Sequence, residues 1–298
     1  MANDPPASRP PAEPSSGGQR KANPKHRGRK PYPPPRNRAD HRPDPAAGAA
    51  ANTETLIFGL HAATFALKNP ARRVTALHVT ENAERRLGEA VATHQHLIKR
   101  VSPRDLDKRL GPDTVHQGVL LDVEPLATES LENLTARARE TARPILILDQ
   151  VTDPHNVGAV LRSAAVFGAS GLVMTHRHSP PLGGALAKAA SGALELTPVT
   201  LVRNLADAIA AIRDAGITII GLDAESDQFI ESAIDASDRP FALALGAEGK
   251  GLRDLTRQSC DTLCRIGGDG PITSLNVSNA AAVALHLAAM QRRHRKAS

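Results

Sequence analysis

The sequence predicts an α/β protein built on a parallel sheet, with a smaller α/β unit and a basic tail in front of it. Three observations carry this. From residue 143 onward, short apolar runs alternate with helical patterns, as in a parallel sheet covered on both faces. A chain of 298 residues is long enough for two domains at roughly 150 residues each. The first fifty residues contain no Leu, Ile, Val or Phe, so they cannot contribute to either core.

That first segment holds ten Lys or Arg against four acids, which leaves 27 of each sign in the rest of the chain. The whole formal charge of +6 therefore lies in the tail. Twelve of the 23 prolines are there too. With nothing apolar to offset the entropy of ordering, residues 1–52 are predicted to be disordered. The run Arg20 to Arg38 would attract a polyanion without reading its sequence, although a solubilising tail has the same composition. A second basic cluster, Arg292-Arg293-His294-Arg295-Lys296, lies near the C-terminus.

Leu56 to Gly59 leads into an Ala-rich helical stretch, His61 to Lys68, which stops at Asn69-Pro70. Arg73 to Thr80 reads as a strand, Glu81 to Lys99 as a helix, and Gln117 to Val123 as a buried strand. The charged stretch Glu124 to Arg143 connects this unit to the next and carries a helix. The second unit has candidate strands at Ile145 to Leu148, Leu172 to Thr175, Val199 to Val202, Ile217 to Leu222, Phe241 to Leu245 and Cys264 to Ile266, with a last helix over Asn276 to Met290.

Composition also excludes. No apolar run approaches the ~20 residues that span a bilayer, and the N-terminus lacks a signal-peptide core. Two cysteines, Cys260 and Cys264, make neither a disulfide framework nor a four-cysteine zinc site, so a reducing cytoplasm is expected. His176-Arg177-His178 has no neighbouring acid or Cys, and no metal is expected. Five Phe, one Tyr and no Trp argue against an RNA platform made of stacked aromatics.

In an open parallel sheet, ligands bind in the loops beyond the carboxyl ends of the strands. Three such loops are candidates. The first, Asp149 to Gly158, enters a helix bearing Arg162; an amide (Asn156) and a guanidinium there suit an anionic or hydroxylic ligand, or equally a helix cap and a surface Arg. Six helical residues put these two side chains about 120° apart, so they meet only if Asn156 precedes the helix. The second, Gly246 to Leu252, has three glycines that let backbone approach a ligand, but its spacing is not that of a P-loop. The third, Gly267 to Asn279, leaves the last strand through glycines and enters the last helix at Ser274 and Asn276, which fits a ligand loop or a capped connector.

Taken in order, Asn156-x-Gly158-x-x-x-Arg162, Leu245 to Leu252 (LGAEGKGL) and Ser274 to Ser278 (SLNVS) resemble motifs one, two and three of the SpoU/TrmH family, SPOUT-superfamily RNA ribose 2′-O-methyltransferases that use S-adenosylmethionine. Upstream, FGLHAATFALKNP (58–70) and VHQGVLL (115–121) look like the small substrate-binding domain, similar to ribosomal protein L30e, of its RlmB-like subgroup. The resemblance implies a SPOUT domain with a deep trefoil knot over 143–298, an L30e-like RNA-binding domain over 53–125, a linker over 126–142, and a homodimer with the site near the subunit interface. It implies a guanosine of 23S rRNA, free or in a precursor particle, as substrate. By position, Arg162, Asn156, Glu248, Ser274 and Asn276 fall on catalytic positions, and Gly246, Ile266, Leu275, Leu245 and Gly249 on cofactor-binding ones. Lys188, Ser191 and Glu195 fall in a segment that the family places near substrate. One departure stands out: Ile266-Gly267-Gly268 replaces the family's Ile-Pro-Met.

The implied reaction is in-line attack by a ribose 2′-oxygen on a sulfonium methyl. A guanidinium stays protonated at neutral pH and is a poor base, so Arg162 is expected to pin the adjacent phosphate and stabilise the developing alkoxide. His155 is near enough in sequence to be considered as a base, and is expected to shape the turn or touch RNA. The alternatives are the same chemistry on tRNA and a non-catalytic RNA-binding or ribosome-assembly factor.

Overall fold

The computed structural model describes residues 53–237, 239–268, 270, 272 and 274–297. The predicted disorder of residues 1–52 lies outside them. Two sheets organise the chain. The first has four strands in the order β1 (Leu56–Phe58), β4 (Val119–Val123), β2 (Val74–Val79) and β3 (Ile98–Arg100), antiparallel except for the β2–β3 pair. Helix α1 (Leu60–Lys68) covers one face through Leu60, Ala63, Ala66 and Leu67. The other face packs Phe58 and Leu120 against Leu106 of α3 (Pro103–Leu110).

Three elements here differ from the sequence expectation. The helix predicted over Glu81 to Lys99 stops at Leu87, and only Glu81–Leu87 is α-helical (α2). Gly88 takes φ +54°, which ends the α-helix, and 3-10 turns carry the chain through Leu97 into β3. Strand β3 and helix α3 are additions. Residues 126–142, the linker expected to carry a helix, do so as α4 (Leu131–Thr141), whose Leu134 and Ala138 are fully buried on the second sheet.

The second sheet has six strands, all parallel, in the order β10 (Thr262–Cys264), β8 (Thr218–Leu222), β9 (Phe241–Gly246), β5 (Ile145–Asp149), β6 (Gly171–Thr175) and β7 (Val199–Val202). Alternate residues face opposite helix layers, and both faces are buried. Leu146, Leu148, Leu243 and Leu245 meet α5 (Pro154–Phe167), α8 (Ile230–Ala236) and α10 (Val277–Ala297). Ile145, Ile147, Ala242 and Ala244 meet α4 and α7 (Leu205–Asp214). The last strand lies two residues earlier than the predicted Cys264 to Ile266, because after Cys264 the pairing passes to a single bridge from Arg265 to Phe229. The last helix begins at Val277, with Asn276 as its cap.

The small sheet is docked on the second unit through α6 (Gly184–Ala190) and the turn after it. Gly192, at φ +97°, leaves room for the Phe65 ring: a Cβ there would stand 2.2 Å from Cδ2 of the ring. Beside it, Arg72 Nη2 donates to Glu195 Oε1 at 2.7 Å, Arg72 Nη1 donates to the Glu124 carbonyl at 3.2 Å, and Asn69 Nδ2 donates to Glu195 Oε2 at 2.7 Å. The Arg72 side chain is fully buried and that of Glu195 is 3% exposed.

Candidate active site

The β5–β9 register sets Asp149 opposite Gly246, so the first two candidate loops leave the sheet side by side. Asp153 caps α5, its carboxylate accepting from the His155 backbone at 2.9 Å, and Asn156 lies in the first helical turn. After β9 the chain folds back at once: the Gly251 amide donates to the Ala247 carbonyl at 2.9 Å, with Gly251 at φ +65°. The return is so close that a Cβ on Gly246 would lie 2.0 Å from the Gly251 carbonyl carbon, so only glycine fits at 246. Buried Asp149 closes this loop, accepting from the Arg253 backbone at 3.0 Å and from Arg253 Nε at 2.7 Å.

The third loop brings Asn276 to the same place. Its carbonyl oxygen accepts from the Ser278 amide at 2.9 Å and from Ser278 Oγ at 2.6 Å, which fixes the amide group's orientation at the start of α10. Its Nδ2 donates to Asn156 Oδ1 at 3.0 Å and also to Glu248 Oε1. Asn156 Nδ2 donates to the same carboxylate oxygen at 3.1 Å. Three side chains, one from each loop, thus form a closed hydrogen-bonded set. The alternative of a capped connector is true of Asn276 as well, since its two ends do different work.

These groups stand at a cavity of about 710 Å³. All five expected cofactor residues, Leu245, Gly246, Gly249, Ile266 and Leu275, line it, as do Glu248, Ser274 and Asn276. Leu275 is 52% exposed, an apolar side chain at an open wall. The chain's departure from Ile-Pro-Met has a local reason at Gly267, where a Cβ would lie 2.6 Å from Cε1 of the Phe229 ring, and none at Gly268, where a Cβ would meet nothing within 4 Å.

Arg162 is not part of this set. Asn156 is inside α5 rather than before it, the helical phase separates the two, and Arg162 is exposed with no partner among the described residues. The two meet only if Asn156 precedes the helix; α5 starts at Pro154, so they do not meet in one chain. His155 is likewise exposed, and only its backbone takes part, in the α5 cap. Of the segment expected near substrate, Glu195 is instead buried in the ion pair with Arg72, Ser191 ends α6 at φ +52°, and Lys188 lies 5.9 Å from the centre of the Phe58 ring.

Sequence reasoning missed Arg265 and the Asp149–Arg253 clamp. Arg265 lines the cavity, its guanidinium 4.7 Å from the centre of the Phe229 ring and its Nε buried without a hydrogen-bond partner. A lone charge between the apolar Cys264 and Ile266 of the predicted strand was the signal that could have found it. Cys264 also lines the cavity; burial pushes its thiol, and that of Cys260, up to about 12. Among the described residues no group of three or more His, Cys, Asp or Glu is arranged to hold a metal, and no helix is long and apolar enough to cross a membrane.

Comparison with known proteins agrees with this architecture. The SpoU rRNA methylase family model matches residues 143–286, and that of the RNA 2′-O ribose methyltransferase substrate-binding domain matches 56–129. The 23S rRNA (guanosine-2′-O-)-methyltransferase RlmB of Shewanella oneidensis is 38% identical over 251 residues, 80% of this chain and 98% of its own. RlmB of Ralstonia nicotianae is 36% identical over 240 residues, 80% and 96% of the two chains. Among solved structures, the SpoU methyltransferase AviRb from Streptomyces viridochromogenes, in complex with AdoMet, superposes with a TM-score of 0.64 at 25% identity, covering 80% of this chain and 90% of that one. On its two sheets, its three converging loops and these matches, the chain belongs to the SpoU family of RNA methyltransferases.

Proposed function

We propose that this chain binds S-adenosylmethionine in the 710 Å³ cavity and methylates the ribose 2′-oxygen of a guanosine in 23S rRNA. The observation that carries the reading is the meeting of Asn156, Glu248 and Asn276 at the mouth of a cavity walled by Leu245, Ile266 and Leu275. The cavity fits such a cofactor on its own features. Its volume lies in the range of small-ligand sites, and its lining mixes apolar side chains with backbone groups. A Cβ on Gly249 or Gly251 would meet nothing within 4 Å, so these lining positions leave room that side chains would fill.

When bound, the cofactor supplies an electrophilic methyl group. The residues of the chain must then orient a ribose and deal with its proton, since a bare 2′-hydroxyl is a weak nucleophile at neutral pH. Asn156 and Asn276 hold the Glu248 carboxylate and present polar edges beside the cavity. Arg162 is a permanent cation at the surface of α5; it pins the phosphate next to the reacting ribose, stabilises the developing alkoxide, and leaves a phosphate oxygen to take the proton.

Because Arg162 stands outside its own chain's cavity, we infer a homodimer in which a second copy completes the constellation. We also infer the deep knot. The strand order supports it: from β10 at the sheet edge, the chain must cross back past the ends of β8 and β9 to set α10 against α5. Residues 53–125 are read as the L30e-like RNA-binding domain, 126–142 as the connection, 143–298 as the SPOUT domain, and the cytoplasm as the place where free rRNA or a precursor particle is met.

The test is transfer of labelled methyl from S-adenosylmethionine to unmodified 23S rRNA and, separately, to tRNA, with Arg162→Ala alongside. Label expected in 23S rRNA as 2′-O-methylguanosine, and lost in the variant, supports cofactor, reaction and substrate together. Label in tRNA overturns the substrate. No label with either RNA, and no cofactor binding, leaves an RNA-binding factor. Turnover near wild type in Arg162→Ala overturns the role given to that residue, and near-full activity in Arg162→Lys would make it a point charge rather than a bidentate clamp.

A further inference from the structure

At the amino-terminal end of the parallel sheet, away from the methyl-transfer cavity, three guanidinium groups gather at one hollow, with no carboxylate among its described lining residues. Arg143 lies two residues before β5, and Arg292 and Arg293 lie near the end of α10. Together they border a hollow of about 160 Å³ floored by Phe167 and Ala289. Arg292 Nη2 donates to the Phe167 carbonyl at 2.8 Å, closing the last turn of α5. Its other terminal nitrogen, Nη1, is buried and has no hydrogen-bond partner. Arg143 and Arg292 reach the same point: a Cβ on Gly168 would stand 3.7 Å from the Arg143 Cζ and 3.6 Å from Arg292 Nη2. Burial, then the charges of Arg143 and Arg293, lower the pKa of Arg292, as expected for like charges set close together.

An unpaired buried donor among converging like charges is costly unless something brings acceptors to it. The missing group must be anionic and small, and must offer several oxygens to planar N–H forks. A phosphate meets all three conditions, and the hollow is large enough for one. The charge balance of the folded body points to RNA as the source. That body is neutral overall, so these three cations are a local excess, and the helix continues as His294-Arg295 toward the chain end. We propose that Arg143, Arg292 and Arg293 form a phosphate-binding subsite that grips the RNA backbone, about 24 Å along α10 from Asn276. It rests on the reading of RNA as substrate, and makes recognition depend on a structured RNA long enough to reach both ends of the helix.

The test uses the full chain and Arg143→Gln/Arg293→Gln, which keeps the Arg292 bond to Phe167. Binding to unmodified 23S rRNA is measured over a KCl series, with kcat, KM, cofactor affinity and sedimentation. For loss of one backbone contact the log–log salt slope should fall by about 0.7–0.9, and affinity by on the order of tenfold. KM should rise while kcat and cofactor affinity stay unchanged. An unchanged salt slope and KM overturns the subsite. So does a changed oligomeric state, which would assign the cations to a second copy of this chain. If millimolar inorganic phosphate raises the melting temperature of the wild type but not of the variant, while both bind RNA equally, the site takes free phosphate and the RNA subsite falls. Should wild type bind RNA but methylate none, the proposed function fails while the binding series still tests the subsite.

Discussion

Arg72→Met isolates the buried ion pair that fastens the small sheet to the parallel one. It strips Glu195 of its guanidinium while leaving the carboxylate 3% exposed, with Asn69 as its remaining side-chain donor. Breaking a buried pair from one side costs about 3–5 kcal/mol, because the charge left behind has lost both water and partner. Replacing both members with apolar groups removes that charge, so Arg72→Met/Glu195→Leu should lie within about 1–2 kcal/mol of wild type. The resulting coupling energy is about 2 kcal/mol or more. Far-UV circular dichroism in urea is the assay, since the chain has no Trp. At a slope of ~2–3 kcal/mol per molar, the single variant's midpoint should fall by about 1–2.5 M. A loss below about 1 kcal/mol, or a double variant no more stable than the single, would refute the idea that an uncompensated charge sets the cost.

Gly158→Ala sets a methyl 2.5 Å from the Ala189 Cβ and 2.8 Å from the Ala190 nitrogen, so overpacking of about 1–3 kcal/mol should outweigh a helix-propensity gain of about 1 kcal/mol. Calorimetry should show a lower melting temperature, and an unchanged or raised one would mean that α5 and α6 can part at no cost. Cys260 and Cys264, with thiols pushed up to about 12 by burial, should resist iodoacetamide at pH 8.5 in the native protein and react once it is unfolded in urea. Both thiols are protonated in the folded and unfolded states below about pH 8.5, so their contribution is intact there; it should be lost as pH rises towards 12, visible as a falling urea midpoint. Deleting residues 1–52 should weaken RNA binding and flatten its salt dependence, and unchanged values of both would remove the tail from RNA binding.

The parallel sheet was legible because both of its faces are covered. Ile145 to Leu148 and Phe241 to Leu245 are apolar without interruption, and the structure buries every one of those residues. Strand β3 had no such mark: Ile98-Lys99-Arg100 has one apolar residue, at a half-exposed edge. Helix α3 buries only Leu106, so its periodicity is faint, yet its entry is written in the Ser102–Asp105 capping box and Pro103. The overrun of α2 came from reading Gly88 as an ordinary helical residue. In the candidate site, the three loops were legible as a set because each follows a strand end. The reach of Arg162 was not, since it turned on whether α5 starts at Pro154 or after Asn156, a shift of one turn. Nor could pattern reveal that Asp149, at the tip of an apolar strand, ties down Arg253 from 104 residues away.

The hydrogen-bonded set at the cavity mouth joins residues 92 and 120 positions apart, and its final member opens the last helix. A ribosome making this chain completes the small sheet, and most of the parallel one, before any cofactor cavity exists. Asn276 closes the set only after all six parallel strands have been made. Fragments ending early therefore lack the third loop, however well their first sheets fold. The set is completed last, and a premature stop before Asn276 leaves Asn156 and Glu248 without their third member.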